Sequence, residues 1–430
     1  MDEKLMLQVL AEQKEELLEY DFSTQIVPRR EEMLFEWESN MAQVVTGVRR
    51  SGKSTLCHMA LRRRGVLYGY ADLDDDRLLG LETKDLNTLL GCIYQIYGTD
   101  IHYLFLDEIQ DVEGWHLFVN RLLRQGMRVF LTGSNAKLLS GELATHLTGR
   151  YNEIHLYPFS FSEYCIASGI DAKSVTTKSE SRRKIALTSY LSDGGFPELM
   201  NISNAKNRRT YIEGLIETII SKDIALRFNI RSTEGIRKIA HHLIKNNCQV
   251  IDYAALAEIA NLKTAMTAQK YTAYLSQAYL IHRLQKFSFK SRERLTCSKS
   301  YVIDPGFIAN RENALLGKNV GWKLENVVLI ELLRRYSSAA EDIYYYKPST
   351  RQKEVDFVVC RQGAVQELIQ VSYSLDDKTT FKREMSALTA ASAKTRCDNL
   401  VVICMDDSRD VEVDGKTIRI RNAVEWLLVE

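Results

Sequence analysis

Proline is scarce in this sequence, five in 430 residues, and no tract of it is low in complexity. Linkers and disordered segments have a different composition, so packed structure is expected throughout. An excess of one charge is also missing: 57 Lys and Arg stand against 56 Asp and Glu, a formal net charge of +1. No global field then draws the protein to nucleic acid or to a membrane, and any basic site has to be local. The eight cysteines, at 57, 92, 165, 248, 297, 360, 397 and 404, form no C-x-x-C and no paired metal-ligand spacing. They read as thiols of a reducing compartment, which points to the cytoplasm. No apolar run approaches the ~20 residues of a membrane span. Met1-Asp2-Glu3-Lys4 leads into a charged helical pattern and not into the apolar centre of a signal peptide. No membrane partner is expected. A single core stops growing near ~250–300 residues, so the chain should form two or three domains.

What is present is a phosphate loop. Gly47-Val48-Arg49-Arg50-Ser51-Gly52-Lys53-Ser54-Thr55 fits G-x-x-x-x-G-K-[ST]. It follows the β-branched run Gln43-Val44-Val45-Thr46 and precedes a helical stretch from Leu56, the strand–loop–helix context that the motif needs. Backbone N–H groups of Gly47, Arg50, Ser51, Gly52 and Thr55 would face the phosphates of ATP, and the helix N-terminus favours the same charge. Lys53 reaches the β- and γ-phosphate oxygens, and the Ser54 hydroxyl is a ligand for Mg²⁺.

The second element is Tyr103-Leu104-Phe105-Leu106-Asp107-Glu108, a continuous apolar strand ending in two carboxylates. Buried parallel strands read this way, and ligands sit beyond their carboxyl ends. Asp107 is placed to hold Mg²⁺ directly or through water, and Glu108 to orient and deprotonate the attacking water. A third apolar strand, Arg128 to Gly133, ends at Ser134-Asn135. Asn135, or else Ser134, is the candidate polar group beside the γ-phosphate; both also suit a helix cap. Alternating strands and helices over 41–160 predict a parallel α/β sheet covered on both faces.

Several stretches recur in a fixed order. They are the loop at 47–55, Ala71-Asp72-Leu73-Asp74-Asp75, Leu106-Asp107-Glu108-Ile109-Gln110 with Trp115 after it, Thr132-Gly133-Ser134-Asn135, and Leu147-Thr148-Gly149-Arg150. Leu156-Tyr157-Pro158-Phe159-Ser160-Phe161-Ser162-Glu163-Tyr164 and Gly194-Gly195-Phe196-Pro197-Glu198 follow. In these the chain resembles the AAA+ ATPases of a predicted archaeal and bacterial family related to the signal-transducing STAND group. The resemblance implies a P-loop AAA+ core over 1–160 and a helical lid over 161–245. It implies that Arg150 serves the γ-phosphate of its own site or of a neighbour's, the latter in an oligomer. It also implies that Pro197, in a Gly-x-Pro lid element, packs near the nucleotide, and it places Arg29 and Arg30 in that neighbourhood.

Residues 1–40 carry a mainly helical pattern, and 161–245 is dominated by helical periodicity. Residues 246–303 read as a winged helix. Ala254 to Ala260 is a short helix, Asn261-Leu262 the turn, and Lys263 to Leu275 the second helix, with Thr264, Thr267, Gln269, Lys270 and Thr272. Arg283, Lys286, Lys290, Arg292, Arg294 and Lys299 then stand against one acid, Glu293. That is the charge of a wing over the phosphates of double-stranded DNA; a contact with a protein partner is the alternative. Residues 304–430 resemble the companion domain of the same family, a small α/β fold of the restriction-endonuclease, PD-(D/E)xK, type. The helix carrying Glu325 and the strand carrying Asp356 match its carboxylate positions. The chain departs from it at Gln370-Val371-Ser372, where Glu-x-Lys would stand, and Lys378 is the nearest substitute. A degenerate domain that binds without cutting is therefore expected, an ATP-regulated nuclease being the other reading.

Overall fold

The computed structural model describes residues 1–20, 26–133, 147, 149–288, 297–309, 320–336, 341–348 and 354–429. Ser134, Asn135, Thr148, Lys290, Arg292, Glu293 and Arg294 lie outside the described residues. The chain divides into two compact units, one of Met1–Pro158 with Gln277–Tyr279, the other of Phe159–Ser276 with Leu280–Glu430.

The first unit is built on five parallel strands: β1 (Ala42–Thr46), β2 (Tyr68–Asp72), β3 (Tyr103–Asp107), β4 (Arg128–Gly133) and β5 (Tyr151–His155), in the order β2-β3-β4-β1-β5. All five residues of β1 are buried, as a strand covered on both faces requires. Successive side chains of a strand serve opposite faces. Val44, Leu104 and Leu106 accordingly join a core with helices α1 (Glu3–Glu19), α3 (Leu86–Tyr97) and α4 (Trp115–Arg124). Val45, Phe105 and Phe130 join the opposite core, under α2 (Lys53–Arg64). The helical pattern expected over 1–40 is narrower in the structure. Among the described residues beyond α1, a short 3₁₀ segment, Arg30–Leu34, is helical, and Val27 before Pro28 is not, since proline disfavours the helical conformation in the residue before it.

The second unit begins with α5 (Phe161–Ala167), α6 (Thr177–Asp193) and α7 (Ala205–Thr218), the last running into a π-helical segment, Ile219–Leu226. Then come α8 (Glu234–Lys245), α9 (Tyr253–Ile259), α10 (Ala265–Gln277) and the antiparallel hairpin of β6 (Ile281–Gln285) and β7 (Ser298–Val302). A short α11 (Gly306–Ala309) and α12 (Val320–Arg335) lead to a six-stranded mixed sheet. Its strands are β8 (Glu341–Tyr346), β9 (Val355–Arg361), β10 (Ala364–Val371), β11 (Leu400–Cys404), β12 (Arg409–Val413) and β13 (Lys416–Asn422), in the order β12-β13-β11-β10-β9-β8. Helix α13 (Lys378–Thr395) covers one face through Met385, Leu388 and Ala391. The other face packs on α12, α5, α6 and α14 (Ala423–Leu428). No helix among the described residues is long and apolar enough to cross a membrane.

Candidate nucleotide site

The loop from Gly47 to Gly52 leaves the carboxyl end of β1 and turns directly into α2, whose first residue is Lys53. Gly52 caps that helix at φ +96°, and Arg50, a non-glycine residue, is held at φ +68°. Gly47 has φ +146°, and a Cβ there would lie 2.2 Å from the Leu156 carbonyl oxygen. Only glycine lets the loop pass this close to the end of β5. Lys53 is buried, and its Nζ donates to the Val48 carbonyl at 3.3 Å, inside the curl of the loop. Ser51 is fully buried, and its Oγ has no hydrogen-bond partner among the described residues. A buried hydroxyl without a partner is costly, and a phosphate oxygen in the curl would supply one.

Three carboxylates converge on this loop. Asp107 is buried and hydrogen-bonded by Thr132 Oγ1, and the Ser54 hydroxyl is near enough to work against the rise in its pKa. Burial, and then the charges of Glu108 and Asp72, push its carboxyl up to about 7. Asp72 stands beside Asp107 in the β2–β3 register. Burial raises it to about 6; the Asp74 N–H opposes the rise, and Asp74, Glu108 and Asp75 add to it. Glu108 itself sits in the left-handed region at φ +52°, its N–H donating to Thr132 Oγ1 at 3.3 Å. The Gln110 amide donates to Glu108 Oε2. A cation beside Asp107 would offset its burial and the charges of Glu108 and Asp72, and the pair Ser54 and Asp107 offers two hard oxygen ligands suited to Mg²⁺. The residues fit the group.

Sequence reasoning did not single out two residues of this arrangement. Thr132 bonds Asp107 and the Glu108 backbone together, yet within an apolar strand a threonine reads as one more β-branched residue. Asp72 lies in an acid-rich stretch, and the signal for it was the apolar run Tyr68-Gly69-Tyr70-Ala71 ending on a carboxylate, as β3 does. Arg29 is buried and braces the loop. Nη1 donates to the Ser51 carbonyl at 3.2 Å and Nη2 to the Tyr157 carbonyl at 2.6 Å. Arg30 is exposed.

Arg150 requires a correction. Its carbonyl accepts from the N–H of Ala42, the first residue of β1. The phosphate loop follows the last residue of that strand, Thr46, some five residues and roughly 15 Å further on. Arg150 therefore stands at the opposite end of the sheet from its own phosphate loop, not beside it as the first of the two expected positions required. It is exposed and borders a cleft of about 550 Å³ with Arg121, Arg124, Thr83, Asn87 and Asn120.

Pro197 opens a one-turn 3₁₀ helix, Pro197–Met200, in the second unit. The turn before it is gripped by Asp304, whose Oδ2 accepts from the Gly195 N–H at 2.8 Å and whose Oδ1 accepts from Gly306 at 2.8 Å. Lys299, expected on an exposed basic wing, is 3% exposed and pairs with Glu325 and Glu354. It cannot meet a phosphate backbone. Thr272 of the second helix is buried, its hydroxyl donating to the Ala268 carbonyl.

Comparison with known proteins agrees with the first unit. Residues 39–165 match the family model described as AAA domain. Residues 185–319 and 320–422 match two models described as domains of unknown function, DUF8612 and DUF4143. A protein of Methanocaldococcus jannaschii, Uncharacterized protein MJ1544, is 33% identical over 400 residues, 90% of this chain and 88% of that one. A Haemophilus influenzae protein is 29% identical over 410 residues, 91% of this chain and 95% of that one. Among solved structures, the Thermotoga maritima RuvB Holliday junction branch migration motor matches at 17% identity and TM-score 0.28, over 65% of this chain and 88% of that one. A STAND protein with a tetratricopeptide repeat sensor from Pyrococcus horikoshii matches at 13% and 0.27, over 73% and 46%. Those scores are too low to carry an argument about shape. The chain belongs to the family of the Methanocaldococcus protein, and its N-terminal part is an AAA domain.

Proposed function

We propose that this chain is a Mg²⁺-dependent AAA+ ATPase that couples its nucleotide state to binding of double-stranded DNA. The observation that carries the ATPase reading is the placement of Asp107. It lies by Ser54 of the phosphate loop and is bonded to Thr132, with Glu108 next in sequence. Gly47, Arg50, Ser51, Gly52 and Thr55 would wrap the phosphates, and Lys53 would draw charge from the β- and γ-oxygens. Ser54 and Asp107 would hold Mg²⁺, which neutralises charge on the phosphates. Glu108 would accept a proton from water, with the Gln110 amide fixing where its carboxylate points and Thr132 holding its backbone. Asn135 would complete the γ-phosphate contacts. Arg150 would act on the nucleotide of a second copy, because it stands at the far end of its own sheet. The Gly195-Phe196-Pro197 turn would be the lid element that senses nucleotide and repositions the winged helix.

The DNA reading takes α9 and α10 with the β6–β7 hairpin, over 246–303, as a winged helix, and the sheet of β8 to β13 as a non-cleaving relative of the PD-(D/E)xK fold. Its support is that Lys263, Thr264, Gln269 and Lys270 are all exposed at the start of α10. A second reading, a nucleotide switch acting on a protein partner, is favoured by the withdrawal of Lys299 from the basic face. One experiment separates them: steady-state ATP hydrolysis by the wild type and Glu108→Gln, each with and without double-stranded DNA. Turnover raised by DNA and lost in Glu108→Gln supports the first reading. Turnover indifferent to DNA but dependent on Glu108 supports the switch. Turnover unaffected by Glu108→Gln refutes the base assignment.

A further inference from the structure

The C-terminal sheet contains the elements of a metal site but is arranged around something else. Glu325 on α12, Asp356 on β9 and Gln370 on β10 are all buried, where the nuclease resemblance puts a divalent ion. Each already has an oxygen engaged within the chain. Glu325 Oε1 takes the Lys299 ammonium at 3.3 Å and the Tyr301 hydroxyl at 2.7 Å. Asp356 Oδ2 accepts from the Val371 N–H at 2.9 Å, and Gln370 Oε1 accepts from the Asp356 N–H at 3.3 Å. No group of three or more His, Cys, Asp or Glu among the described residues is arranged to hold a metal. These residues do not fit a divalent ion.

They fit an ammonium group. Lys299 Nζ lies 2.5 Å from Glu354 Oε1 as well as 3.3 Å from Glu325, and it stands 5.5 Å from the centre of the Tyr345 ring. The second oxygen of Glu354 pairs with Lys347 at 2.7 Å. Burial works against the charge on Lys299, but Glu325, Asp356 and Glu354 outweigh it and hold the group protonated. On Glu354 burial and Lys299 also oppose each other, and the ammonium wins, keeping that carboxyl below its usual range. A buried ammonium is tolerated only when its donors meet anions or a ring face, and here they do.

Lys299 comes from neither α12 nor the six-stranded sheet. It is on β7, and Tyr301, two residues on and thus on the same face of that strand, reaches the same Glu325 oxygen. The hairpin is joined to the sheet a second time. The Phe287 N–H donates to the Tyr345 carbonyl at 2.7 Å, Lys286 bridges Tyr345, and the Phe287 ring packs between Tyr344 and Tyr346.

We propose that Lys299 takes the cation position of this carboxylate cluster, so that the C-terminal sheet anchors the β6–β7 hairpin and does not act as a metal-dependent nuclease. The inference is independent of the nucleotide site. It is tested on the full chain without nucleotide. Mn²⁺ titrated calorimetrically into the wild type and into Asp356→Asn should give the same isotherm; binding lost in Asp356→Asn would overturn the proposal. Lys299→Met should lower the melting temperature by roughly 5–15 °C, because it leaves a buried carboxylate unpaired. Lys299→Met combined with Glu325→Gln should recover most of that loss, and this pair keeps the test open if the single variant fails to fold. A double variant no more stable than the single one would overturn the pairing, as would a single variant as stable as wild type. Hydrogen exchange should rise over 281–288 and 298–302 in Lys299→Met, or in the double variant if only that folds. Unchanged exchange there would refute the anchor.

Discussion

Because burial and two neighbouring carboxylates hold the Asp107 carboxyl near 7, the site should answer to pH around neutrality. At pH 6 a group with that pKa is ionised in roughly one molecule in ten, and at pH 8 in roughly nine in ten. A cation can take the site only in the ionised form, so metal-dependent nucleotide affinity should rise about tenfold across this range. The sign for stability runs the other way. An aspartate raised above its unfolded value of 3.8 makes the folded protein the better proton binder, so the nucleotide-free protein loses stability as pH rises from about 4 to about 7. Mg²⁺ with nucleotide removes that penalty, and the gain in melting temperature on adding them should grow between pH 6 and 8. The assay is calorimetric titration of a non-hydrolysable ATP analogue with Mg²⁺ at pH 6, 7 and 8, for wild type and Asp107→Asn. The nucleotide's own titration is common to both and cancels in the comparison. Asp72, raised to about 6, steepens the lower part of the range. Wild-type and Asp107→Asn affinities that run parallel with pH would refute the reasoning.

Three further outcomes follow from the same geometry. Gly47→Ala places a Cβ 2.2 Å from the Leu156 carbonyl, so it should abolish ATP binding measured by fluorescence titration and lower the melting temperature, while Gly65→Ala, with open space around it, should keep binding. Thr132→Val keeps the shape but removes the hydroxyl shared by Asp107 and the Glu108 N–H; it should cost about 1–3 kcal/mol of stability and reduce kcat by more than it raises KM for ATP. Arg150→Ala and Glu108→Gln should each be inactive alone but regain turnover when mixed, since an arginine remote from its own phosphate loop can serve only a partner; no recovery on mixing would remove Arg150 from the reaction.

The nucleotide site was legible because its parts are contiguous. A loop motif carries its own backbone geometry in two glycines, and an apolar run ending in Asp107-Glu108 declares both its burial and its open end. Thr132 was not legible, and Arg29 was placed near the nucleotide by the resemblance alone, since their contacts depend on which segments become neighbours. Thr132 faces Asp107 only because β4 lies beside β3. Arg29 braces Ser51 only because the segment after α1 returns to the loop. Arg150 shows the opposite failure: its motif context was readable, but which end of the sheet it occupies follows from the register of β5 on β1. In the second unit, helical periodicity over 161–245 was readable, whereas most strands of the C-terminal sheet were not. The fate of Lys299 was not, because a lysine in a basic run reads as solvated until the acids that bury it, 26 and 55 positions on at Glu325 and Glu354, are brought together by the fold.

That withdrawal changes what any contact with DNA can rest on. Of the six basic residues from Arg283 to Lys299, Lys299 is buried in ion pairs and Arg283 is half-buried. Among the described residues of 246–303, the plainly exposed cations are Lys263 and Lys270, before and within α10. Lys270 also lies 5.7 Å from the Tyr274 ring, which stacks on Phe228 and so fixes the stem of the lysine against the helix. A phosphate contact from each lysine should contribute ~0.9 to the slope of log affinity against log salt. Lys263→Glu with Lys270→Glu should therefore lower that slope by about 2 on duplex DNA, and weaken binding equally on unrelated sequences, because backbone contacts read no bases. The measurement is fluorescence anisotropy over a salt series. A slope unchanged by the double reversal would take α10 off the DNA. With Lys299 already occupied by Glu325 and Glu354, the exposed charge left on this part of the unit would then be better matched to an acidic protein surface.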